Sequence, residues 1–430
     1  MASSKVKKVK TVHQKKRVFR ASEPILSVLM WGINHTVDEL MHINIQPFLM
    51  PDDFRAFAKT RVENHLYNKE NLPGRFKFKE YCPLVFRDLR EKFRIDDTDY
   101  MHSLTQSQPV AFSSSGHSGA KFYVSHDKRF IIKLISSEEV ALMHQILQQY
   151  HEHVVETNGG TLLPHYVGLY RLTVSGDEYY VLTMRNVLPS RLQIHKKFDL
   201  KGSTVDRSAS EKEKAKDLPT FKDNDFISDA LKIHIGEDAK RQLMEKLEKD
   251  TAFLTRLKLM DYSLLLGIHD CTQAQMDDFD DDENDDETEE EGASGDDGIG
   301  ADANAGAVTG TGKAITLPSE QTTAEVAAAV SGLPRPHIAL NGKAAAAAIE
   351  QGMCPVVDLS VDVFAVMSND ESEPLIYFCG LIDMLTQYGA RKRAAHAAKT
   401  MKHGTNAEIS TVRPEQYAKR FLDFVSRIVE

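Results

Sequence analysis

An acidic, alanine-rich segment interrupts the second half of the 430-residue chain and limits how the chain can fold. Residues 274–312 contain 15 Asp and Glu and no Lys or Arg, and an Ala-rich stretch continues to about residue 352. Such a composition cannot offset its ordering entropy by apolar burial, so residues 273–352 are predicted to be a disordered insert. Only 78 residues follow the insert. We therefore expect this C-terminal piece to complete a fold that begins before the insert.

The rest of the composition is that of a folded protein with a local charge imbalance. Hydrophobic residues make up 41% of the chain, enough for a sizeable core. Outside residues 274–312 there are 53 Lys and Arg against 48 Asp and Glu, so that remainder is slightly basic. No apolar run approaches the roughly 18 to 20 residues that span a bilayer, and the basic N-terminus has no apolar signal region. Membrane contact is therefore expected to be peripheral.

The four cysteines are scattered and carry no metal-binding spacing. Cys82, Cys271, Cys354 and Cys379 form neither CxxC nor CxxH pairs. This pattern argues against a zinc site and against a disulfide framework, and it fits a reducing compartment.

Two hydrophobic periods alternate along the chain and predict its organisation. Strand patterns occur at 75–81, 118–135 and 178–187, and helical patterns occur at 137–156, 238–260 and 415–430. Strands early and helices late predict an α+β fold of two lobes with a cleft between them. The predicted division is a basic tail (1–20), an N-terminal lobe (21–185), a first part of the C-terminal lobe (186–272), the insert (273–352) and a second part (353–430).

The stretch from Ser113 to Lys133 is the first candidate for chemistry. Its glycines would let backbone amides approach a phosphate, and Lys133 is the lone cation in an apolar strand. Glu138 and Glu139 open the next helix, which is the layout of a kinase amino-terminal lobe. An ordinary β-hairpin with a glycine turn remains the alternative interpretation.

Two carboxylates stand at apolar boundaries further along the chain. Asp261 separates a helical pattern from the strand-like run SLLLGI, and Asp383 is the only charge in PLIYFCGLIDMLTQYG. Metal-assisted phosphoryl transfer needs carboxylates that orient a hydroxyl and hold Mg²⁺. Each aspartate alone could equally be a helix cap or a turn residue.

Four long motifs together resemble one enzyme family. DLKGSTV (199–205), SEKEKAKDLPTFKDNDF (210–226), LMDYSLLLGIHD (259–270) and RAAHAAKTMKHGTNAEISTVRPEQYAKRF (393–421) are similar to segments of the phosphatidylinositol phosphate kinases. Within that family they resemble the type II branch, the phosphatidylinositol 5-phosphate 4-kinases. The resemblance covers nearly the whole chain outside the basic tail and the insert. It implies a two-lobed fold, distantly like that of protein kinases, with an antiparallel sheet in the N-terminal lobe.

The resemblance also implies residue roles in ATP and Mg²⁺ binding. Lys133 would hold the nucleotide phosphates, Asp261 would be the catalytic aspartate, and Asp383 would hold Mg²⁺ with Asp261 nearby. Gly116 and Gly119 would lie in the loop over the phosphates. Asn186 in MRNV would lie at the nucleotide pocket.

Lipid recognition is expected from polar segments beside the cleft. The resemblance implies that Lys201 and Arg207, in the polar stretch 197–225, face the lipid phosphates, to which Lys and Arg can form charge-assisted bonds. The cations Lys212, Lys214 and Lys216 of the same stretch are left unassigned, and a solvated surface loop remains the alternative for them.

Two segments are predicted to meet the membrane or the substrate. Arg75, Lys77 and Lys79 alternate with Phe76 and Phe78, so period two places the three cations on one face of a strand. The segment 390–404 resembles the family's activation loop, which selects the monophosphate substrate. Its substrate-contacting candidates are Ala395, which matches the type II state, Lys399 and Lys402. An Ala-rich surface helix is the alternative for this segment.

The sequence departs from the resembled pattern at MRNVLPSR, residues 184–191. Type II members commonly have Phe and then Ser-His after RNV or RNM, whereas this chain has Leu188 and Pro189. Leu188 could contact the base without aromatic stacking, so the choice between ATP and GTP stays open. The departure also motivates an alternative function, a low-activity lipid-binding scaffold of the same fold that regulates other phosphoinositide kinases.

Partners and location follow from the lipid substrate and from the family. We expect contact with phosphoinositides in membranes, a homodimer, and heterodimers with related kinases as a further option. The first 20 residues contain eight Lys and Arg, which is typical of nucleic-acid arms, nuclear signals and lipid-binding tails alike. Nucleic acid is the least favoured partner, because no recognition module follows the tail. The expected location is cytoplasmic and peripheral on inner membrane surfaces, with a nuclear pool left open.

Overall fold

The computed structural model describes residues 21–43, 48–63, 72–113, 120–274, 357, 361–370, 372, 374–389 and 412–430. Two β-sheets with flanking helices make up this part of the chain. The predicted α+β class is therefore confirmed. No helix in the described ranges combines the length and the apolar character needed to cross a bilayer.

A seven-stranded sheet is built from the first part of the chain. Its strand order is β1-β2-β6-β7-β5-β4-β3. The strands are β1 (Phe57–Val62), β2 (Phe76–Tyr81), β3 (Val110–Phe112), β4 (Phe122–Val124), β5 (Phe130–Ile135), β6 (Tyr166–Val174) and β7 (Asp177–Arg185). Every neighbouring pair is antiparallel, as the sequence predicted for this lobe.

Four helices accompany this sheet: α1 (Pro24–Met41), α2 (Pro83–Lys92), α3 (Asp97–Thr105) and α4 (Ser137–Glu156). Helix α1 packs against the buried face of β2, and a Cβ added at Gly32 would lie 2.0 Å from the Phe78 ring. Glycine is therefore required for this close approach. Helix α4 has the bounds that its hydrophobic period predicted.

A five-stranded sheet follows, with the order β11-β12-β10-β8-β9. Its strands are β8 (Lys196–Leu200), β9 (Thr220–Lys222), β10 (Ser263–Asp270), β11 (Ala365–Met367) and β12 (Leu375–Ile382). The helices of this part are α5 (Glu211–Lys214), α6 (Asp223–Ser228), α7 (Gly236–Arg256) and α8 (Pro414–Ile428). Strands β11 and β12 follow the insert in sequence and pair with each other. Strand β12 also pairs with β10, which precedes the insert, so all three strands lie in one sheet. The later part of the chain therefore supplies five strands as well as the expected helices, although the strand patterns identified from sequence lay in the earlier part.

Buried hydrogen bonds fasten the two parts of the molecule together. The carboxylate of Asp250 in α7 is fully buried, accepts from the backbone N–H of Leu162 at 2.7 Å and lies 2.7 Å from Nε2 of His153 in α4. The carbonyl of Leu162 in turn accepts from the N–H of Leu381 in β12 at 2.7 Å. A short path of hydrogen bonds therefore runs from α4 and α7 to the strand that ends beside Asp383.

The connection between the sheets crosses the five-stranded sheet at two glycines. A Cβ added at Gly380 would lie 2.8 Å from Val187 Cγ2, and one added at Gly267 would lie 2.6 Å from Leu188 Cδ2. These contacts leave no room for a larger residue unless the connection shifts. The segment after β7 is thus seated directly on β10 and β12.

The cysteines differ from expectation at one position. Cys82 and Cys379 are free and buried, but Cys271 is disulfide-bonded, and its partner lies outside the described residues. Spacing along the sequence could not reveal this bond, because bridged cysteines need only be close in space.

Candidate active site

Lys133 lies in the middle of β5 and is buried against two carboxylates. Its side chain is 10% exposed, and Nζ lies 3.1 Å from Oδ1 of Asp383 and 3.6 Å from Oε1 of Glu139. A buried lysine is costly unless it is paired, so these contacts explain how the strand tolerates the cation. The lysine, the helix glutamate and the predicted metal aspartate therefore converge.

Glu139 reaches Lys133 because of the way α4 begins. Ser136 caps the helix, and Glu139 accepts a bond through Oε2 from the Ser136 N–H at 2.8 Å. This capping box fixes the side chain and leaves Oε1 directed at Lys133. The sequence named Glu138 and Glu139 together, and the structure selects Glu139, whereas Glu138 is exposed.

Asp261 and Asp383 lie at the same end of one antiparallel ladder. Ser263, the first residue of β10, pairs with Ile382, the last residue of β12, so both aspartates lie just beyond this pair. The Met260 N–H also donates to the Thr386 carbonyl at 2.9 Å, which holds the two chain ends side by side. Both aspartates have left-handed backbone conformations, with φ 65° and 59°. Such conformations concentrate at functional sites, although they occur elsewhere in this chain too.

Strand register shows which apolar side chains share the face of Lys133. In β5, period two places Ile131 beside Lys133, and Ile131 pairs with Met184 of β7. In β4, Phe122 pairs with Lys133 and Val124 with Ile131. These apolar residues are only partly buried. They form an apolar surface around the lysine.

The opposite side of the cleft has an apolar surface of its own. Leu265 pairs with Gly380 and Ser263 with Ile382, which puts Leu265 and Ile382 on one face of the sheet. Both are partly buried, and Ile382 immediately precedes Asp383. Sequence reasoning missed all of these cleft residues. The period-two rule could have identified Ile131, but the cross-strand partners depend on pairings that a local pattern does not reveal.

Asn186 anchors the connection between the sheets. Its side-chain amide donates to the Lys128 carbonyl at 2.9 Å, and its side-chain oxygen accepts from the Leu188 N–H at 3.1 Å. Leu188 packs beside Ile194 in the smaller apolar cluster on the sheet. The residue predicted at the nucleotide pocket is thus well placed to hold that connection in position. Its contact with a nucleotide base stays a prediction.

Arg207 is held by two carboxylates rather than presented to solvent. Its Nε donates to Asp223 at 2.7 Å, and its Nη2 donates to Asp199 Oδ1 at 2.8 Å. The buried Asp223 also accepts from the backbone N–H groups of Lys201, Gly202 and Ser203. These contacts give Arg207 a role in shaping the loop, and its contact with a lipid phosphate stays a prediction.

Lys201 itself lies in the loop that Arg207 and Asp223 hold. Gly202, with φ 65°, brings this loop close to α8, because a Cβ added at Gly202 would lie 2.9 Å from the Phe424 Cβ. Within the described ranges no carboxylate forms an ion pair with the Lys201 side chain. It therefore remains the better candidate for contact with an anionic headgroup.

A basic surface extends over one end of the seven-stranded sheet. The predicted face of β2 is confirmed as an alternation, because Phe76 and Phe78 are buried while Lys77 is exposed and Lys79 is partly exposed. Lys79 pairs with Lys59 of β1 and with Arg171 of β6, and Lys77 pairs with Arg61 of β1. Burial, Arg171 and Lys59 lower the pKa of Lys79. Like charges that lie directly opposite one another on neighbouring strands lower the stability of a sheet. The presence of this basic face is therefore not explained by a contribution to folding stability.

Register relates the basic face to the cleft. Lys79 of β2 pairs with Arg171 of β6, and Arg171 pairs with Tyr180 of β7. Leu182 lies two residues after Tyr180 in β7 and pairs with Lys133 of β5. Alternation therefore puts the basic residues and Lys133 on the same face of the sheet. Helix α4 covers part of this face, where its His144 contacts the Tyr81 ring.

Five predicted site residues lie outside the described part of the chain. These are Gly116, Gly119, Ala395, Lys399 and Lys402. Their roles in covering the phosphates and in choosing the substrate therefore stay predictions.

The carboxylates at this site suit Mg²⁺ better than a metal ion that is held entirely by protein side chains. No group of three or more His, Cys, Asp or Glu side chains in the described ranges is assembled to hold a metal ion. Mg²⁺ needs no such cage, because it is usually held by one or two carboxylates together with substrate phosphates. Asp261 and Asp383, at one end of the β10–β12 ladder, can supply those carboxylates.

Comparison with known proteins agrees with this geometry. Residues 103–428 match the family described as Phosphatidylinositol-4-phosphate 5-Kinase. The chain is 52% identical to phosphatidylinositol 5-phosphate 4-kinase type-2 alpha of Gallus gallus, over 100% of this chain and 97% of the relative. It is 50% identical to the type-2 beta protein of Homo sapiens, over 97% of this chain and 93% of the relative. The human type-2 alpha protein is also 50% identical, over 100% and 97%. The resemblance predicted from the motifs is confirmed.

Proposed function

Because the chain belongs to the phosphatidylinositol phosphate kinase family, we propose that it transfers the γ-phosphate of ATP to the 4-hydroxyl of phosphatidylinositol 5-phosphate. The product is phosphatidylinositol 4,5-bisphosphate. The family description covers 5-kinases by name, but the relatives matched over nearly their full length are named as 4-kinases. The choice of the 4-hydroxyl rests on those relatives.

The convergence of Lys133 with Glu139 and Asp383 carries the kinase assignment. In kinases of this general design, a strand lysine binds the nucleotide phosphates and a helix glutamate keeps it in position. The apolar residues on both sides of Lys133 suit the flat face of a nucleotide base. ATP use follows from the family, and the preference for ATP over GTP belongs to the proposal.

Asp261 is proposed to orient the attacking hydroxyl and to accept its proton. Its place beside Asp383 would set the hydroxyl next to the γ-phosphate that Lys133 helps to position. Mg²⁺ bound at Asp383 and Asp261 would neutralise charge on the transferred phosphate. Most of the rate then comes from positioning and from charge neutralisation, as expected for phosphoryl transfer.

The basic face is proposed to hold the enzyme on anionic membranes while the cleft acts on the headgroup. Each cation near an anionic bilayer contributes about 1 kcal/mol of attraction, so Lys59, Arg61, Lys77 and Lys79 together would give useful residence. This placement supports a cytoplasmic protein that is peripheral on inner membrane surfaces. Dimerisation is proposed through β1, which forms one edge of the seven-stranded sheet, because open edges favour pairing with another chain.

The decisive experiment compares two lipids and one variant. Labelled phosphate transfer from ATP is measured on vesicles containing phosphatidylinositol 5-phosphate or phosphatidylinositol 4-phosphate, with Asp261→Asn beside the wild type. We expect product from the 5-phosphate alone and a loss of at least roughly 10²-fold in the variant. The variant should unfold at the wild-type temperature, because Asn tolerates the left-handed conformation of Asp261.

Two other outcomes would change the assignment. Product from the 4-phosphate lipid alone would make the protein a 5-kinase. No product from either lipid, in folded protein that still binds vesicles, would favour the lipid-binding scaffold.

A further inference from the structure

A pocket with a basic lining lies at the junction of α2, α7 and the loop after α4. It is a partly open depression with about 440 Å³ of empty space, a figure that includes open solvent. Its charged lining consists of Lys92 and Arg94 after α2, Arg185 at the end of β7 and Lys246 in α7. None of the described lining residues is Asp or Glu. None of the residues placed in the phosphoryl-transfer site lines it.

Arg185 is the most informative residue in this pocket. It is 8% exposed, and its Nη2 donates to the Phe93 carbonyl at 3.0 Å. Its Nη1 is buried and has no hydrogen-bond partner among the described residues. A buried guanidinium with an unused donor is costly, and the cost disappears when an acceptor reaches it. Burial and the nearby Arg129 lower the pKa of Arg185 to about 10, as expected for a cation in an environment short of negative charge.

The two cations after α2, Lys92 and Arg94, are incompletely neutralised among the described residues. Nζ of Lys92 lies 3.8 Å from Oδ1 of Asp88, and Oδ2 of the same carboxylate lies 2.7 Å from Nε2 of His151. Arg94 forms no ion pair with the described residues, and it is exposed, with φ 55°. The carboxylate near Arg185, Asp362, lines a neighbouring pocket and not this one.

Lys246 brings the second lobe into the pocket. It is partly buried in α7, four residues before Asp250, which it approaches. Burial lowers its pKa despite that carboxylate. The pocket thus joins cations from both parts of the molecule, with α2 on one side and α7 on the other.

We propose that this pocket binds the phosphate group of a soluble anion and so ties α2 to α7 behind the catalytic cleft. Arginine suits the role, because its planar group can make paired bonds to phosphate oxygens. The Asp250–Leu162–Leu381 hydrogen bonds begin at this pocket, since Leu162 lines it, and end at the strand that precedes Asp383. A bound anion would therefore favour the arrangement of the two lobes seen here. Binding is independent of turnover, so it can be tested whether or not the proposed reaction is correct.

The test titrates inorganic pyrophosphate into the full-length protein at constant ionic strength. Unfolding temperature and calorimetric heat are followed. We expect a saturable rise in the unfolding temperature and about tenfold weaker binding in Arg94→Ala and in Lys246→Met. Arg94 is exposed and Lys246→Met keeps most of the apolar stem, so these variants avoid the folding risk of changing Arg185.

Two controls assign the effect to this pocket. Lys249→Ala removes a charge from an exposed site on the same helix and should bind pyrophosphate like the wild type. Lys133→Met removes the phosphate-binding lysine of the proposed active site and should leave this response in place. Loss of the response in Lys133→Met, an unchanged affinity in both pocket variants, or no saturable response at all would overturn the proposal.

A lipid headgroup could supply the same phosphate chemistry. Sedimentation with vesicles containing phosphatidylinositol 5-phosphate separates the two sources. Equal vesicle binding by the wild type and the pocket variants is expected for a soluble anion. A loss of vesicle binding in the pocket variants would assign the phosphate to a lipid headgroup and overturn the soluble source.

Discussion

Nζ of Lys133 and Oδ1 of Asp383 lie 3.1 Å apart although 250 residues separate them in the chain. The first residue lies in the seven-stranded sheet, and the second follows the last strand of the five-stranded sheet. Their contact joins the two sheets across the cleft. Substitutions at these residues and at the charged residues around them should have measurable effects on turnover, stability and membrane binding.

Glu139→Gln should lower turnover by roughly ten- to a hundredfold, because Lys133 loses one of its two carboxylate partners. The unfolding temperature should change little, since Gln can also complete the capping box with Ser136. Glu138→Gln is the matched control, one residue away on the same turn and not paired with Lys133. Similar losses in both variants would contradict the assignment of Glu139.

Asp383→Asn should raise the Mg²⁺ concentration needed for half-maximal ATP turnover and lower the maximal rate by on the order of 10²-fold. The reason is that the amide is a poorer ligand for a hard cation than the carboxylate is. ADP release is measured across a Mg²⁺ series. An unchanged Mg²⁺ requirement would remove Asp383 from the metal site.

Asp223→Asn should lower the free energy of unfolding by about 3 kcal/mol, because it leaves the buried Arg207 without one of its two carboxylates. It also weakens the three backbone bonds that shape the loop at Lys201. Urea unfolding provides the measurement. Asp229→Asn, at an exposed position after α6, should be neutral.

Lys59→Ala and Lys77→Ala should each weaken binding to anionic vesicles about fivefold, corresponding to about 1 kcal/mol per cation. The effect should shrink as salt is added, because exposed charges are screened. Lys249→Ala is the control for a lost surface charge elsewhere. Equal losses in all three variants would mean that the basic face has no special part in membrane binding.

Glu80 gives the N-terminal lobe a pH-dependent stability. Burial raises the pKa of Glu80 to about 6, even though the neighbouring Arg90 opposes this shift, and Asp97 adds to it. The folded protein then binds this proton more tightly than the unfolded chain, whose carboxyl titrates near pH 4.5. The contribution of this one carboxyl to stability is therefore fullest below about pH 4.5 and declines as the pH rises to about 6.

Glu80→Gln should remove this decline and raise the free energy of unfolding at pH 7 by about 2 kcal/mol, because the folded and unfolded chains then no longer differ in their affinity for a proton at this position. Arg90 keeps Asp97 as a partner at 2.6 Å in the variant. Denaturant unfolding between pH 4.5 and 7 checks the prediction, with the exposed Glu91→Gln as the control. A parallel pH profile in Glu80→Gln and the wild type would contradict it.

The sequence predicted features that depend on local pattern. The bounds of α4 and the strand around Lys133 follow from hydrophobic period, which short stretches of chain display directly. The pairing of β10 with β12 could not be predicted in this way, because the two strands stand on either side of the insert and their register depends on tertiary packing.

Local sequence pattern does not reveal which side chains become partners. The resemblance to the family implied that Arg207 faces a lipid phosphate, and it said nothing of the carboxylates beside it. In space, Asp199 and Asp223 occupy its guanidinium, and the order of residues along a chain cannot show which charges neutralise one another. The same limit left Glu138 and Glu139 undivided, since only the geometry of the helix start separates them.

The pairing of β10 with β12 also bears on how this chain can be altered. Asp270 pairs with Leu375 at one end of the ladder, while Asp261 and Asp383 flank the other end, about 24 Å away at roughly 3.4 Å per residue. In sequence, the insert follows the end of β10 at Asp270 and precedes β11 and β12, so it adjoins the distant end of the ladder and not the end with the two aspartates. Lengthening, shortening or replacing it with a fluorescent domain should therefore leave the spacing of the two aspartates intact. Lineages could vary this insert freely while the chemistry at the far end of the same two strands is preserved.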